Sequence, residues 1–147
     1  MTYPPGSIIL VKGYKLPTEE KDKFFIVMDQ KEDEYNLLSM TTSRFYFSED
    51  IIKHGVINEG SGASMYCFEK DRVIGVDGFA FRKHTFINHN GNIHRFSFEL
   101  LSGYPVELMD TLTDNELQNL IYSFYRYKGI PKKYKTVLET VLNSICK

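Results

Sequence analysis

Gly6-Ser7-Ile8-Ile9-Leu10-Val11 is the first of three short apolar runs that decide the fold of this chain. Lys23-Phe24-Phe25-Ile26-Val27-Met28 and Tyr35-Asn36-Leu37-Leu38-Ser39-Met40 follow, with polar residues between the runs. Runs of about six residues rich in β-branched and aromatic side chains are typical of strands. The sequence therefore predicts three consecutive strands, with a turn over residues 29–34 and with Thr41-Thr42-Ser43 at the end of the third strand.

Strand-like segments continue to about Ser102, and residues typical of turns separate them at short intervals. This spacing predicts a meander or a small barrel. Asn90-Gly91 is the strongest hairpin signal, because a two-residue primed turn requires positive φ angles that Asn and Gly tolerate. It predicts a hairpin that joins residues 83–87 to residues 93–98. Residues 51–64, which end in a stretch rich in Gly and Ser, predict a long mobile loop.

Two amphipathic helices are predicted after Thr111. Thr113, followed three residues later by Glu116, matches a capping box, and Gly129 is a typical helix terminator. Pro131 suits the first position of the second helix. Apolar residues recur at helical spacing in both segments, at Leu117, Leu120, Ile121 and Phe124 in the first and at Tyr134, Val137, Leu138, Val141, Leu142 and Ile145 in the second. We expect an antiparallel helical hairpin that packs on the β part of the chain or on a second subunit.

The length of 147 residues fits a single domain over residues 1–147, with a β part over residues 1–102 and the helical hairpin over residues 111–147. The expected fold class is α+β, mainly β. A hydrophobic share of 42% and a charged share of 25% are ordinary for a globular protein and exclude a wholly disordered chain. No apolar run approaches the roughly 18 residues that span a bilayer, and no leader pattern opens the chain, so we expect a cytoplasmic protein without a membrane partner.

The net charge of −1 and the pI near 6.4 oppose a broad, sequence-independent grip on nucleic acid, although they are compatible with a local basic patch. Cys67 and Cys146 show neither a CxxC pair nor zinc-ligand spacing, which predicts free, buried thiols. The HExxH, phosphate-loop and GxSxG patterns do not occur in the sequence. We therefore expect neither a metal nor a cofactor.

The order of Gly6-Ser7-Ile8-Ile9, Lys23-Phe24 and Met40-Thr41-Thr42 resembles that of the MazF/PemK toxins, a bacterial family of small RNA-cutting barrels. In that family the first strand opens with Gly-Asp-Ile-Val, the second begins with Arg-Pro, and the third ends near Ile-Thr-Ser. The resemblance covers about the first third of the chain. It implies a Src-homology-3-like barrel, a single-stranded RNA substrate, an antitoxin partner and a homodimer.

The resemblance also assigns roles to two residues at the predicted strand ends. It puts Lys23 at the position of the family's Arg and Thr41 at the position of its Thr, the pair that flanks the scissile phosphate. The family's Arg-Pro is absent, and Lys offers a mobile point charge where Arg offers a planar, two-pronged donor. Lys23 would then neutralise the phosphate and Thr41 would orient it, with Thr42 beside them as an RNA contact.

A second group of candidates surrounds the predicted hairpin: Arg82, Lys83, His84, His89, His94 and Arg95. Metal-free RNA cleavage needs a proton acceptor for the 2′-hydroxyl, a proton donor for the leaving oxygen and cations for the phosphorane, and His and Arg suit these tasks near pH 7. We predict an acid-base role for His84 and an RNA contact for Arg82. We predict that Lys53 and His54, in the predicted loop, are further RNA contacts. The alternative is that these are solvated surface side chains.

Two hypotheses for function follow. The first is a metal-independent endoribonuclease that acts on single-stranded RNA. The second is a non-catalytic barrel that binds a protein or nucleic-acid ligand. In that case Lys23, at the position of the family's Arg, reflects the loss of cleavage activity. The near-neutral charge favours the second hypothesis, whereas the hydroxyl-bearing strand end and the His/Arg group favour the first. An open groove that contains Lys23, Thr41 and His84 together would support the enzyme.

Overall fold

A computed structural model describes residues 3–40, 52–58, 64–90 and 93–145. It has an α+β, mainly β fold, in which the described residues form eight strands and three helices. Thr41 and Thr42, for which the sequence predicts roles in RNA binding and cleavage, lie outside the described residues, as does Cys146. None of the described helices is both long and apolar enough to cross a bilayer.

The elements follow one another in the order of the chain. The strands are β1 (Ser7–Lys15), β2 (Glu20–Lys31), β3 (Glu34–Ser39), β4 (Gly55–Asn58), β5 (Ser64–Phe68), β6 (Thr85–Asn88), β7 (Ile93–Ser97) and β8 (Val106–Thr111). The helices are α1 (Phe98–Ser102), between β7 and β8, and α2 (Asp114–Arg126) and α3 (Lys132–Ile145), after β8.

The three strands predicted near the start of the chain are confirmed, and they form the middle of a five-stranded antiparallel sheet of order β7-β3-β2-β1-β8. β1 and β2 are longer than predicted, and the turn between β2 and β3 is only Glu32 and Asp33. Glu32 has a φ of 56°, which allows this tight reversal.

Both faces of this sheet are buried, which explains why its strands are apolar almost throughout. Ile8 and Ile26 point to one face, where they join a core that also includes α2, α3 and one face of a second sheet. Their neighbours Ile9 and Phe25 point to the opposite face, which α1 and several tyrosines cover. The alternation of side chains along each strand therefore supplies two cores.

The second sheet has three antiparallel strands in the order β4-β5-β6. Its existence corrects the prediction of a long loop over residues 51–64, because Gly55–Asn58 forms β4 and pairs with β5. One face of this sheet carries a buried apolar cluster that includes Ile57, Met65 and Phe86. Burial of these side chains favours strand formation in the segment. The residues between β4 and β5 lie outside the described part of the chain.

The predicted hairpin through Asn90-Gly91 is wrong. β6 pairs with β5 in the small sheet, whereas β7 pairs with β3 in the large one, so the connection passes from one sheet to the other. Phe86 is buried in the small sheet, and Phe96 is buried on the face of the large sheet that α1 covers. Each strand therefore pairs where its aromatic side chain is covered. A local turn signal indicates a change of direction but does not specify the partner strand.

The described strands form two sheets, and they do not close into a barrel. β7 and β8 are the outer strands of the large sheet, and β4 and β6 are those of the small sheet. β8 and the short helix α1 were not predicted. β8 exposes Glu107 and Leu108 and buries Asp110, a pattern that does not alternate as a half-buried strand does.

The predicted helical hairpin is confirmed. The Thr113 hydroxyl caps α2 by accepting a hydrogen bond from the Glu116 amide at 3.2 Å. Tyr125, near the end of α2, donates a hydrogen bond at 3.1 Å to Glu139 in the middle of α3. Leu138 and Val141 of α3 are buried in the main core, so the helices pack on the sheets of their own chain.

A buried carboxylate fixes the turn that precedes β6. Asp110 of β8 accepts hydrogen bonds from the amides of Asp77 at 3.1 Å, Phe79 at 3.0 Å and Thr111 at 2.7 Å. Gly75 lies directly against this carboxylate, with no space for a Cβ atom. The turn depends on a glycine at this position because any side chain would displace the acceptor of three amides.

We predict that Gly75→Ala lowers the free energy of unfolding by roughly 2 to 4 kcal/mol, because its Cβ displaces the buried Asp110 carboxylate and leaves three amides without their acceptor. Urea unfolding followed by circular dichroism measures the effect. Gly103→Ala is the control, since Gly103 has a φ of −74° that alanine adopts readily. Equal losses in the two variants would contradict the role of the Asp110 carboxylate.

Candidate functional site

A cleft of about 870 Å³ opens between the small sheet and α2. β4 contributes Gly55 and Val56 to its wall, β5 contributes Ser64 and Tyr66, and the opposite wall comes from α2 and the residues that follow it. The walls therefore come from two segments about sixty residues apart in the chain, which the shared core holds together.

The cleft is cationic. Arg72, Arg126 and Lys128 line it, and no Asp or Glu is among the described residues at its surface. Arg72 is half exposed and lies 3.8 Å from Glu69, a weak surface pair that leaves its guanidinium accessible. Three positive side chains around one concavity produce a potential that attracts anions.

Tyrosine rings lie among these cations. The Arg126 guanidinium lies over the ring of Tyr122, 5.5 Å from its centroid, and Tyr122 is 50% exposed. Tyr127 stacks on the imidazole of His89 with the ring centroids 5.6 Å apart. The cleft therefore offers flat aromatic surfaces next to positive charge, a combination suited to a ligand with both rings and anionic groups.

His89 connects the small sheet to α2 through a chain of hydrogen bonds. The Ser123 hydroxyl donates a hydrogen bond to the Leu120 carbonyl at 2.6 Å. Its oxygen therefore accepts a hydrogen bond from Nε2 of His89 at 2.9 Å. With the proton on Nε2, Nδ1 is the acceptor for the Ser64 hydroxyl at 2.7 Å. The directions of these hydrogen bonds assign one neutral tautomer to His89.

Burial lowers the pKa of His89 to about 4, so the imidazole is neutral at pH 7. Its side chain is 2% exposed, and both of its ring nitrogens already have partners. A histidine in this condition holds the wall of the cleft in place and is poorly suited to proton transfer with a ligand.

His54 forms a second polar link between the small sheet and α2. Its Nδ1 accepts a hydrogen bond from the Glu69 amide at 3.2 Å, which puts the ring proton on Nε2. Nε2 then donates to the Glu116 carboxylate, 2.8 Å from one oxygen and 2.9 Å from the other. His54, predicted as an RNA contact, therefore lines the cleft with both nitrogens engaged.

Glu116 does not complete the predicted capping box. The Thr113 amide donates instead to the Ile74 carbonyl at 3.0 Å, and the Glu116 side chain turns to His54 and to the Tyr66 hydroxyl at 3.3 Å. Burial, followed by the adjacent Glu116 charge, raises the pKa of Tyr66 well above its usual value. The tyrosine therefore remains a hydrogen-bond donor at any physiological pH.

The other residues predicted from the sequence are dispersed. Lys53 is exposed beside His54, and Arg82 is exposed in the segment before β6. His84 accepts a hydrogen bond from the Lys70 amide at 3.2 Å. Lys23 lies on β2 of the large sheet.

Phe24 and Lys23 lie on opposite faces of β2. Phe24 packs on Phe81, which is three residues before His84, with the ring centroids 5.1 Å apart. Lys23, the neighbour of Phe24 along β2, points to the opposite face of the sheet. Lys23 therefore points away from the face of β2 that contacts Phe81, and Thr41 lies outside the described residues.

Lys23 has different neighbours. His94 of β7 lies close to it, and Nε2 of His94 is 3.0 Å from the hydroxyl of Ser39 at the end of β3. Partial burial, followed by the Lys23 charge, lowers the pKa of His94 below its ordinary value. Partial burial also lowers the pKa of Lys23, and Lys21 adds to the effect. This group adjoins the strand end that leads to Thr41.

Sequence reasoning missed most of the cleft. Arg72, Ser64 and Arg126 belong to different elements with no motif spacing among them, so only the fold brings them together. The one available signal was the basic, tyrosine-rich composition of residues 122–135. Cys67 is a free, buried thiol, as predicted, and burial raises its pKa to about 12.

The described side chains include no group of three His, Cys, Asp or Glu residues arranged to hold a metal ion. No family model, curated protein or solved structure matches this chain.

We predict that acid weakens the fold through His89. Its pKa of about 4 lies below the ordinary value of 6.5 that applies to the unfolded chain, so the unfolded state binds the proton more readily. This contribution to stability is complete above pH 6.5 and is lost as the pH falls to 4, with a total on the order of 3 kcal/mol.

Urea unfolding of the parent and of His89→Gln across this pH range isolates the contribution, because every other titrating group is common to both proteins. The variant should show a flatter dependence of the free energy of unfolding on pH between 6.5 and 4. Parallel curves would show that burial does not hold His89 neutral.

Proposed function

We propose that this protein binds single-stranded RNA in the cationic cleft, as a MazF/PemK-like toxin or a protein derived from one. The observation that carries the proposal is the composition of the cleft: Arg72, Arg126 and Lys128 without a described carboxylate, interleaved with tyrosine rings. Phosphate groups supply the complementary negative charge, and nucleobases supply the flat rings.

The exposed ring of Tyr122 favours a single strand over a duplex. A base can stack on Tyr122 only when it is free of its neighbours, as it is in a single-stranded segment. Arg126, which lies over the same ring, is placed to meet a phosphate attached to a base at that position. The ligand class is thus a short RNA segment with at least one base unstacked.

The proposed relationship to the toxins rests on the sequence resemblance over β1, β2 and the end of β3. A Src-homology-3-like arrangement, a bacterial cytoplasmic location, a homodimer and an antitoxin partner belong to this proposal as consequences of the relationship. The departure at Lys23, where the family has Arg, favours a protein that retains RNA binding more than one that retains efficient cleavage.

The histidines of the cleft also favour binding over cleavage. His54 and His89 both have partners on both ring nitrogens, so neither is available to remove a proton from a 2′-hydroxyl or to deliver one to a leaving oxygen. In the cleft itself, binding is therefore the better supported activity.

We predict that Arg126→Gln weakens the binding of a fluorescein-labelled, mixed-sequence RNA strand by roughly tenfold at low salt, because glutamine cannot supply the charge-assisted hydrogen bonds that arginine donates to phosphate. Fluorescence anisotropy measures the affinity. Arg95→Gln is the matched control, since Arg95 is an exposed arginine of β7, 3.5 Å from Glu34. Equal affinity in both variants and the parent, or tighter binding of duplex than of single strands, would refute the proposal.

A second candidate, RNA cleavage, rests on the group of Lys23, Ser39 and His94. Because its pKa is lowered, His94 is neutral near pH 7 and able to accept a proton. Lys23 beside it could offset charge on a phosphorane. The group adjoins the strand end that precedes Thr41, the residue at which the resemblance puts the family's Thr.

If the protein cleaves RNA, we predict that His94→Gln lowers the rate by about 10² to 10⁴, the usual contribution of a general base. The assay is incubation of purified protein with mixed RNA in a chelator, followed by mapping of the cut ends. His84→Gln is the comparison variant. A loss confined to His84→Gln would return the acid-base role to His84, and intact RNA in the parent reaction would leave binding as the function.

A further inference from the structure

The chain concentrates positive charge where α2 passes into α3. Residues 117–138 contain five basic side chains and no Asp or Glu, although the whole chain carries a net charge of −1. The five are Arg126, Lys128, Lys132, Lys133 and Lys135, and all are exposed. Such a separation of charge makes one end of the helical hairpin strongly positive.

These cations have no acidic partners among the described residues within 4.0 Å, in contrast to Lys12, which lies 3.5 Å from Glu107. Some of them lie over tyrosine rings: Lys133 is 5.0 Å from the ring centroid of Tyr134, and Lys135 is 5.7 Å from that of Tyr125. The charges therefore remain available to an external anion.

The basic residues of the helix junction follow those of the cleft closely along the chain. Arg126 and Lys128 line the cleft, and only three residues separate Lys128 from Lys132 at the start of α3. That connection spans at most about 14 Å. We call Lys132, Lys133 and Lys135 the junction lysines.

We propose that an RNA strand held in the cleft continues over the junction lysines, so that the binding site has two parts. The cleft holds a base and its phosphate, and the junction lysines contact further phosphates only when the strand is long enough to reach them. This inference rests on the proposed function, since it needs a strand in the cleft.

An anionic lipid surface is the other ligand that lysines of this kind could meet. A helix that binds a membrane presents large apolar side chains beside its lysines. None of the exposed large hydrophobic side chains in the described part of the chain belongs to α3, whose Leu138 and Val141 are buried. Together with the adjoining cleft, this composition favours RNA.

The test compares two lengths of labelled single-stranded RNA, about 3 and about 12 nucleotides, across a series of salt concentrations. The first variant carries Lys132→Gln, Lys133→Gln and Lys135→Gln together, and the second carries Arg72→Gln in the cleft. A matched control carries Lys12→Gln, Lys15→Gln and Lys31→Gln, three lysines of β1 and β2. Thermal unfolding checks that each variant is folded.

The junction variant should bind the short RNA within about twofold of the parent, but should bind the long RNA at least tenfold more weakly at low salt. Its salt slope for the long RNA should fall by about 0.7 for each phosphate that the variant no longer neutralises. Arg72→Gln should weaken both lengths. The control variant should follow the parent.

Three results would overturn the inference. Equal effects of the junction variant on both lengths would show that the lysines act as a general charge and not as a second part of the site. Unchanged binding of the long RNA, with weaker binding to vesicles of anionic lipid, would assign the lysines to a membrane surface. If neither length binds the parent protein, the proposed function itself fails, and this inference with it.

Discussion

Burial of both faces of the five-stranded sheet is the constraint on which the rest of the structure depends. The strands β1, β2 and β3 carry apolar side chains toward both faces, and at about 25 cal/mol for each Å² of apolar surface neither face can stay in water. The chain covers one face with α1 and tyrosines. It covers the other with α2, α3 and the small sheet.

This double covering determines where polar groups can lie. The small sheet and α2 both pack on the same face, and at their border His54, Glu116, His89 and Ser123 are shielded from water. Buried polar atoms are costly unless each has a partner, and these are connected in pairs across the border. Apolar packing alone tolerates sliding, whereas these directional bonds fix the sheet and helix in one relative position. The cleft exists because that position is fixed.

Those parts of the fold that depend on local sequence were predicted. Apolar runs identified β1 to β3, and the Thr113 cap and the apolar spacing identified α2 and α3. The partner strands of β6 and β7 were predicted wrongly: Asn90-Gly91 was taken to join them as a hairpin, but a turn signal indicates only a change of direction, and the two strands pair in different sheets. The cleft was missed for the same reason, since Arg72 and Arg126 are 54 positions apart and meet only through long-range packing. His54 was identified as a candidate, but its pairing with Glu116 was not.

The near-neutral charge of the chain is compatible with the proposed RNA site because charge acts locally. At physiological ionic strength the potential of an exposed charge decays over about 8 Å, so a ligand in the cleft responds to Arg72, Arg126 and Lys128 and hardly to acidic residues on distant surfaces. The same decay would prevent long-range steering of the proposed RNA ligand by the protein as a whole. Recognition then depends on the few cations within reach and on the rings between them, so the affinity should be modest, dependent on salt and selective for strands whose bases are unstacked.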